Sequence, residues 1–525
     1  MQSVHPAPTQ HMLARAVIHI KLSKLFLVAS VVFSCSIVFA PLKAYLTEPL
    51  PWTLPPTFNT SLKALAMTIP PRYINATTGA YHYDATFFVD VYRYTVPLVN
   101  RTCLETLVHI AASSFFGAGM RDAICSFAAS TNDSMVYCQD NLLFSTHISS
   151  ACVWGVRHAG GLAFYYATIP RFNVGQVVAK LLFRVIITLY ASAQIYRSYY
   201  RHYASLFETL RHHGDANVVR YVVYLGDPTS VILSDGFVSS CFVIDIYLST
   251  NCVVGGILRL SQIDDFGQLT LGALYTSRLV WMAFFGMRYS TLVIKRLRWE
   301  HRVIGLDSTL MMALAFFAST GIVLLVANTP LMVFYHWCND VGASSPDTVE
   351  LAVSIVYMTL CIASIPLLVA YTWVTANRWR VLKRVSTTRV SSLHLSQSFK
   401  QRVLFFCEFC FMTIPPDKLR GGSLYRFCAL NPRLRRLPLV GFESADCFVD
   451  AYDVHGKLLY RMRLSLISVA LGTGRVLIED AAGSLRLLPG NELNGFWSLA
   501  LTTTLTSKDV VARIRHGRCT SPWLL

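Results

Sequence analysis

Residues 310–335 read LMMALAFFASTGIVLLVANTPLMVFY, a run without one charged side chain. A helix needs roughly 20 mostly apolar residues to cross the hydrocarbon of a bilayer, and a surface helix would keep one polar face. The run therefore predicts a membrane span. Within it, Gly321 and Asn328-Thr329-Pro330 predict a kink, because proline withholds a backbone donor. A broken helix of the transporter kind is the alternative reading.

Five further stretches share this character, at about 25–46, 174–196, 230–257, 269–294 and 350–374. The composition agrees. The 525 residues are 54% hydrophobic and only 14% charged, whereas soluble chains carry about 25% charged residues. Yet the net charge is +17. This balance excludes an ordinary soluble enzyme, a disordered chain and a small disulfide scaffold.

The excess charge is a matter of orientation. Lys and Arg gather in cytoplasmic loops near span ends. Arg15, Lys21 and Lys24 precede the first span; Arg197, Arg201, Arg211 and Arg220 follow the second; KRLRWEHR at 295–302 follows the fourth. Between the other spans lie Asp264, Asp265, Asp340 and Asp347. Six crossings place every basic loop on one side, with both termini cytoplasmic. The tail after 374 adds 22 basic against 10 acidic residues. Membrane topology thus accounts for the charge, and no nucleic-acid partner is expected.

The expected organisation follows. Residues 1–24 form a cytoplasmic N-terminus and 25–46 an anchor helix. A cleaved signal peptide has similar parts, but the long lead favours an uncleaved anchor. Residues 47–173 form an extracellular or luminal domain, 174–374 a five-helix block, 375–439 a basic linker, and 440–525 a small β-rich cytoplasmic module. The fold class is a mostly α membrane protein of about six transmembrane helices, in the plasma membrane or the secretory pathway.

Two marks single out the 47–173 loop. All four Asn-x-Ser/Thr sequons in the chain, at Asn59, Asn75, Asn100 and Asn132, fall inside it, as luminal N-glycosylation requires. It also holds Cys103, Cys125, Cys138 and Cys152, which predict two disulfides with three possible connectivities. The aromatic TTGAYHYDATFFVDVYRYTVPLV predicts strands, whereas 107–120 and 159–169 read as helical or fully buried.

Charges at membrane depth cost about 2.5–3.5 kcal/mol each, so they face one another or a polar cavity. Lys180 and Arg184 share a face at i and i+4; Asp235 and Asp245 lie in the third stretch, and Arg278 in the fourth. Asp245 and Arg278 are the sharpest pair, either a structural bridge or part of a pathway for an ion or small solute. Lys180 and Arg184 can instead snorkel outward, and Asp235 can sit near the inner interface.

In the tail, NRWRVLKRVSTTRVSSLHLSQSFKQR (377–402) is a basic stretch of the sort that contacts anionic lipids. Cys407-x-x-Cys410 has no second close pair, so no metal or cofactor is expected. FVDAYDV, His455-Gly456 and KLLYRMRLSLISVAL predict a hairpin, and RVLIED, AAG and SLRLLPG a second. Phosphate-loop, nucleophile-elbow, zinc-protease and kinase motifs are all absent from the sequence.

A short anchor, a glycosylated loop before a five-span block opening on RVIITLYASAQIYRSYYRHY, and a CEFC-bearing basic tail resemble the uncharacterised multi-pass membrane proteins expanded in oomycetes. That resemblance implies no activity, substrate or site. The expected function is a receptor-like or binding protein without catalytic activity. A channel or transporter using polar groups of the second to fifth helices is the alternative.

Overall fold

The computed structural model describes residues 18–54, 81–84, 89–97 and 103–385, short of 159, 172, 213–216, 263, 301–302, 304–306 and 326–328. It then describes 399–409, 415–421, 446–466, 475–479, 485–489, 501–505, 510–515 and 522–524. Two compact units divide the chain. One comprises Cys35–Gln194 and Ile232–Trp379; the other comprises Met1–Ser34, Ile195–Val231 and Arg380–Leu525.

Among the described residues, two helices are long and apolar enough to cross a membrane, Val174–Arg211 and Leu351–Val369. Two more candidates are bent pairs: Lys24–Val38 with Leu42–Thr53 at 77°, and Gly236–Tyr247 with Thr250–Leu260 at 79°. The stretch read as one span at 230–257 is therefore broken. Leu248 and Ser249 close the first helix by donating back to Ile244 and Ile246, and the Ser249 carbonyl opens the next by accepting from Cys252 and Val253. The stretch at 269–294 is likewise divided, into Phe266–Thr276, a 3-10 turn Ser277–Leu279 and Val280–Leu297. At 308–335 the helix Ser308–Leu325 gives way to Pro330–Val341, which starts on its proline, where no backbone donor is needed. Residues 326–328 lie outside the described residues.

Small residues let these pieces pack backbone to backbone. A Cβ on Gly272 would stand 2.8 Å from the Gly256 carbonyl oxygen, so the helices Thr250–Leu260 and Phe266–Thr276 meet at that point.

The first unit also carries a six-stranded sheet, in the order Tyr81–Asp84, Val89–Pro97, Gly161–Pro170, Thr146–His158, Ser134–Leu143 and Thr348–Glu350. Neighbours are antiparallel except the last pair, which is parallel. Strand Thr348–Glu350 directly precedes the helix Leu351–Val385. One face of the sheet packs Tyr92, Phe164 and Tyr166 on Phe116, Met120 and Ile124, together with Ile257 and Leu258 of the broken span. The other buries Val91, Trp154, Ala163 and Tyr165. Residues 161–170 are thus a buried strand, not a helix. Aromatic and apolar side chains on both faces suit a strand covered on both sides.

Two disulfides brace this unit, Cys103–Cys125 and Cys138–Cys152, which selects one of the three connectivities. The second joins directly opposed residues of neighbouring strands, with Cα atoms 4.1 Å apart. The turn between those strands puts Phe144 and Ser145 in the left-handed region, at φ 48° and 60°. The Glu350 carboxylate accepts both of their backbone N–H groups, each at 3.0 Å.

The second unit gathers segments far apart in sequence. Strand His19–Leu22 pairs in parallel with Arg220–Tyr224, which pairs with Cys447–Tyr452 and so with Leu458–Leu466. Trp523–Leu524 and Leu419–Gly421 join the last of these. The hairpin turns at Gly456, whose φ of +74° favours glycine. Its core combines Tyr199, Tyr203, Tyr221, Val449, Met462 and Trp523. Asp450–Arg461 and Asp446–Arg463, each 2.5 Å, are buried ion pairs across the hairpin. The second predicted hairpin, Arg475–Glu479 with Leu485–Pro489, belongs to a separate four-stranded sheet.

Candidate functional site

The charges expected at membrane depth converge in the first unit. Arg184 stands one turn beyond Lys180 on the helix Val174–Ile195, so both heads leave the same face. Asp245 lies in the last turn of the helix Gly236–Tyr247. The Arg184 Nε donates to Asp245 Oδ1 at 2.7 Å, and its Nη2 donates to Ser249 Oγ at 2.8 Å, beside the break. Arg278, in the 3-10 turn, donates from Nη2 to Asp245 Oδ2.

The fourth corner is Glu48, which sequence reasoning missed. It follows the 3-10 segment Leu42–Leu46, and its backbone N–H returns to Ala44 at 2.9 Å. Arg184 grips it in bidentate fashion, Nη1 to Oε2 at 2.8 Å and Nη2 to Oε1 at 2.9 Å. Arg278 Nη1 reaches Oε1 at 3.3 Å, and the Tyr275 hydroxyl donates to the same oxygen. Glu48, Arg184, Asp245 and Arg278 therefore close a ring of alternating charge. Lys180 attaches from outside, 2.7 Å from Glu48 Oε2.

All four ring side chains are at most 3% exposed, while Lys180 keeps 13%. The ring is neutral by itself, so the whole cluster carries one excess positive charge, on its most accessible member. Tyr45 lies 4.7 Å beneath the Arg184 guanidinium, and Tyr275 lies 5.0 Å from that of Arg278. Both bent pairs and the 3-10 turn contribute here: Glu48 follows the first bend, Ser249 marks the second, and Arg278 lies in the turn Ser277–Leu279. A straight helix holds its backbone groups internally and projects side chains at fixed intervals. The breaks bring these ends together.

Asp235, expected either with the other charges or near an interface, does not join the cluster. It caps the helix Gly236–Tyr247, accepting from the Phe237 and Val238 N–H groups at 2.9 and 3.0 Å. Its Ser-x-Gly surroundings are those of a helix start, because a short acidic side chain competes for orphan donors there.

A second ion pair, also missed, lies beside the sheet: Arg259 Nη2 holds both Asp90 oxygens at 3.0 and 2.9 Å. Farther out, Ser150 Oγ donates to Asp140 Oδ1 at 2.6 Å, and His147 Nε2 meets both. Burial opposes ionisation of Asp140, but the Ser150 and His147 hydrogen bonds and the charges of His147 and Arg171 hold its pKa below the ordinary carboxylate value. One ring nitrogen serving both partners is not a nucleophile–base–orienter relay, in which the two nitrogens divide the roles.

Asn132 is exposed, in the turn before Ser134–Leu143; Asn59, Asn75 and Asn100 lie outside the described residues. Residues 386–398 of the basic tail and Cys410 are outside them too. Among the described residues, no group of three His, Cys, Asp or Glu side chains is placed to hold a metal ion. No protein-family model matches the chain, and neither a curated protein nor a solved structure is similar to it.

Proposed function

We propose that this chain is a multi-pass membrane protein that works by binding, a receptor-like protein, and that its intramembrane charges hold it together. The observation that carries this reading is the closed ring. Each carboxylate oxygen of Glu48 and Asp245 already takes at least one donor, and Arg184 uses all three of its nitrogens. A solute pathway needs groups free to exchange partners, whereas a ring of buried charges in which only Arg278 Nε lacks a partner costs several kcal/mol to open.

The second unit supports the proposed orientation. Its sheet draws on residues 19–22, 220–224 and 447–466, the same basic segments that charge bias assigns to the cytoplasm. Segments sharing a sheet share one side of a bilayer. This supports cytoplasmic termini and a luminal, glycosylated 47–173 loop. The disulfides belong with that assignment, because they persist in oxidising compartments.

A channel or transporter is the second reading, favoured by one observation: helix breaks coincide with the charge cluster, as in transporters with discontinuous spans. A flux assay separates the two. In the binding reading, purified chain in liposomes leaves ion and solute flux equal to that of protein-free liposomes. Flux above that level, removed by Asp245→Asn in a variant that still inserts, would establish the transporter instead.

A further inference from the structure

The turn between strands Ser134–Leu143 and Thr146–His158 combines two unusual features. Its Phe144 ring is 68% exposed, and Phe144 and Ser145 both hold the left-handed backbone conformation that bulky residues avoid. Such outliers persist only where the surroundings hold them, and they gather at sites of function. Here the holder is Glu350. Its carboxylate accepts the N–H groups of both residues and also, at 3.1 Å, that of Ala352 in the first turn of the helix Leu351–Val385. One side chain thus clasps the turn and caps the helix, which fixes the turn at the helix start. The other long apolar helix begins at the same end of the hairpin. The Arg171 N–H donates to the Ile148 carbonyl at 3.0 Å, and Asn173 then opens Val174–Ile195, accepting from the Gly175 and Val177 N–H groups. The helix Pro330–Val341 ends here as well, since a Cβ on Gly342 would stand 2.8 Å from that of Glu350. Back along it lie Trp337 and Phe334, their rings 5.1 Å apart, with Tyr357 of the neighbouring helix 5.0 Å from Phe334.

We propose that this turn docks on the outer face of the bilayer, with the Phe144 ring inserted among the lipid headgroups and upper acyl chains. Three observations select lipid as the partner. The turn is level with the first turns of two apolar helices whose Val174 and Val353 are themselves exposed, so its apolar surface continues theirs. Trp337 and Tyr357 stand close to the same level, and Trp and Tyr collect where hydrocarbon gives way to water. The tip Leu142-Leu143-Phe144-Ser145-Thr146 carries no charge, and Glu350 spends both oxygens on backbone N–H groups. The inference rests on the membrane reading above and adds to it a lipid contact outside the spans.

The test replaces Phe144 by p-benzoylphenylalanine in the full chain, reconstituted in phosphatidylcholine vesicles. After irradiation, phospholipid adducts are mapped by mass spectrometry. Two exposed positions serve as references: Leu360 on the apolar helix, and Val136, about 25 Å farther up the same strand at about 3.3 Å per residue. The expected result is an adduct at 144 in a yield comparable with that at 360, and none at 136. Lipid adducts at 144 no more abundant than at 136 would overturn the proposal. So would crosslinks from 144 to a second copy of the chain in place of lipid. Should the 144 variant not insert, the same probe at Thr146, exposed on the same turn, is read in the same way. Flotation of the parent chain with the vesicles is measured alongside. A chain that does not float contradicts the membrane reading, whereas one that floats but takes no lipid label at the turn contradicts the docking proposal alone.

Discussion

Arg184 and Glu48 stand 136 positions apart in sequence and meet through two parallel hydrogen bonds of 2.8 and 2.9 Å, both side chains fully buried. This fork-to-fork geometry is the strongest that a carboxylate and a guanidinium can adopt. It ties the segment after the helix Lys24–Val38 to the helix Val174–Ile195. Asp245 and Arg278 extend the tie to the third and fourth stretches.

Removing an acid from the cluster and removing its outer base should differ in consequence. Glu48→Gln leaves two arginines and a lysine against Asp245 alone, and a broken buried pair costs about 3–5 kcal/mol. Lys180→Met instead removes the excess charge at the most accessible position and should cost about 1 kcal/mol or less. Thermal unfolding of the two variants in detergent reads the difference. Equal loss in both would show that Glu48 is not the hub.

The disulfides close loops with separations of 22 and 14 residues. Loops of this size stabilise by about 3 kcal/mol each. Replacing both cysteines of either pair by serine should lower the unfolding temperature by a comparable amount. Non-reducing peptide mapping should recover Cys103 with Cys125 and Cys138 with Cys152, and no crossed pairs.

Asp140 adds an acid-sensitive element to the sheet. Its pKa is lower in the folded chain than in the unfolded one, so its contribution is complete above the unfolded value, about 3.9, and is lost as pH falls through the folded value. Asp140→Asn should therefore flatten the acid limb of a stability–pH curve measured on the sheet, and leave the curve above pH 5 parallel to the parent's.

Trp523 sits third from the C-terminal end of the chain yet is fully buried, and its Nε1 donates to the His202 carbonyl at 3.0 Å. Trp523→Ala should cost about 3–5 kcal/mol, as large aromatic truncations in cores do. Limited proteolysis should then cut faster in the second unit while leaving the disulfide-bonded one intact.

Much of this arrangement was legible in the sequence. The apolar runs, the hairpins at 447–466 and 475–489, the presence of two disulfides though not their pairing, and four of the five clustered charges follow from periodicity and local chemistry. Glu48 did not, because it lies just past an apolar run, where hydropathy places a loop. The available signal was charge balance: Lys180, Arg184 and Arg278 had only Asp235 and Asp245 to meet, and Glu48 is the sole acidic residue before Asp84. The helix breaks at 248–249 and 277–279 were also hidden. Hydropathy averages over a window and ignores backbone direction, so it does not register that Ser249 and Arg278 stand at these interruptions and pair with distant side chains. The three-segment sheet of the second unit depends on contacts across hundreds of residues, which no local pattern encodes.

The central claim is that the buried charges form a lock. Asp245→Asn leaves the cluster two positive charges in excess, and Arg278→Met leaves it with none but deprives Asp245 of a partner. The double variant restores the original balance and keeps the Glu48–Arg184 fork. The decisive measurement is surface delivery and unfolding temperature for the two single variants and the double. The lock requires both singles to be retained and destabilised, with the double recovering most of the loss. Single variants that reach the surface at the parent's level and stability, but alter conductance or uptake, would contradict it.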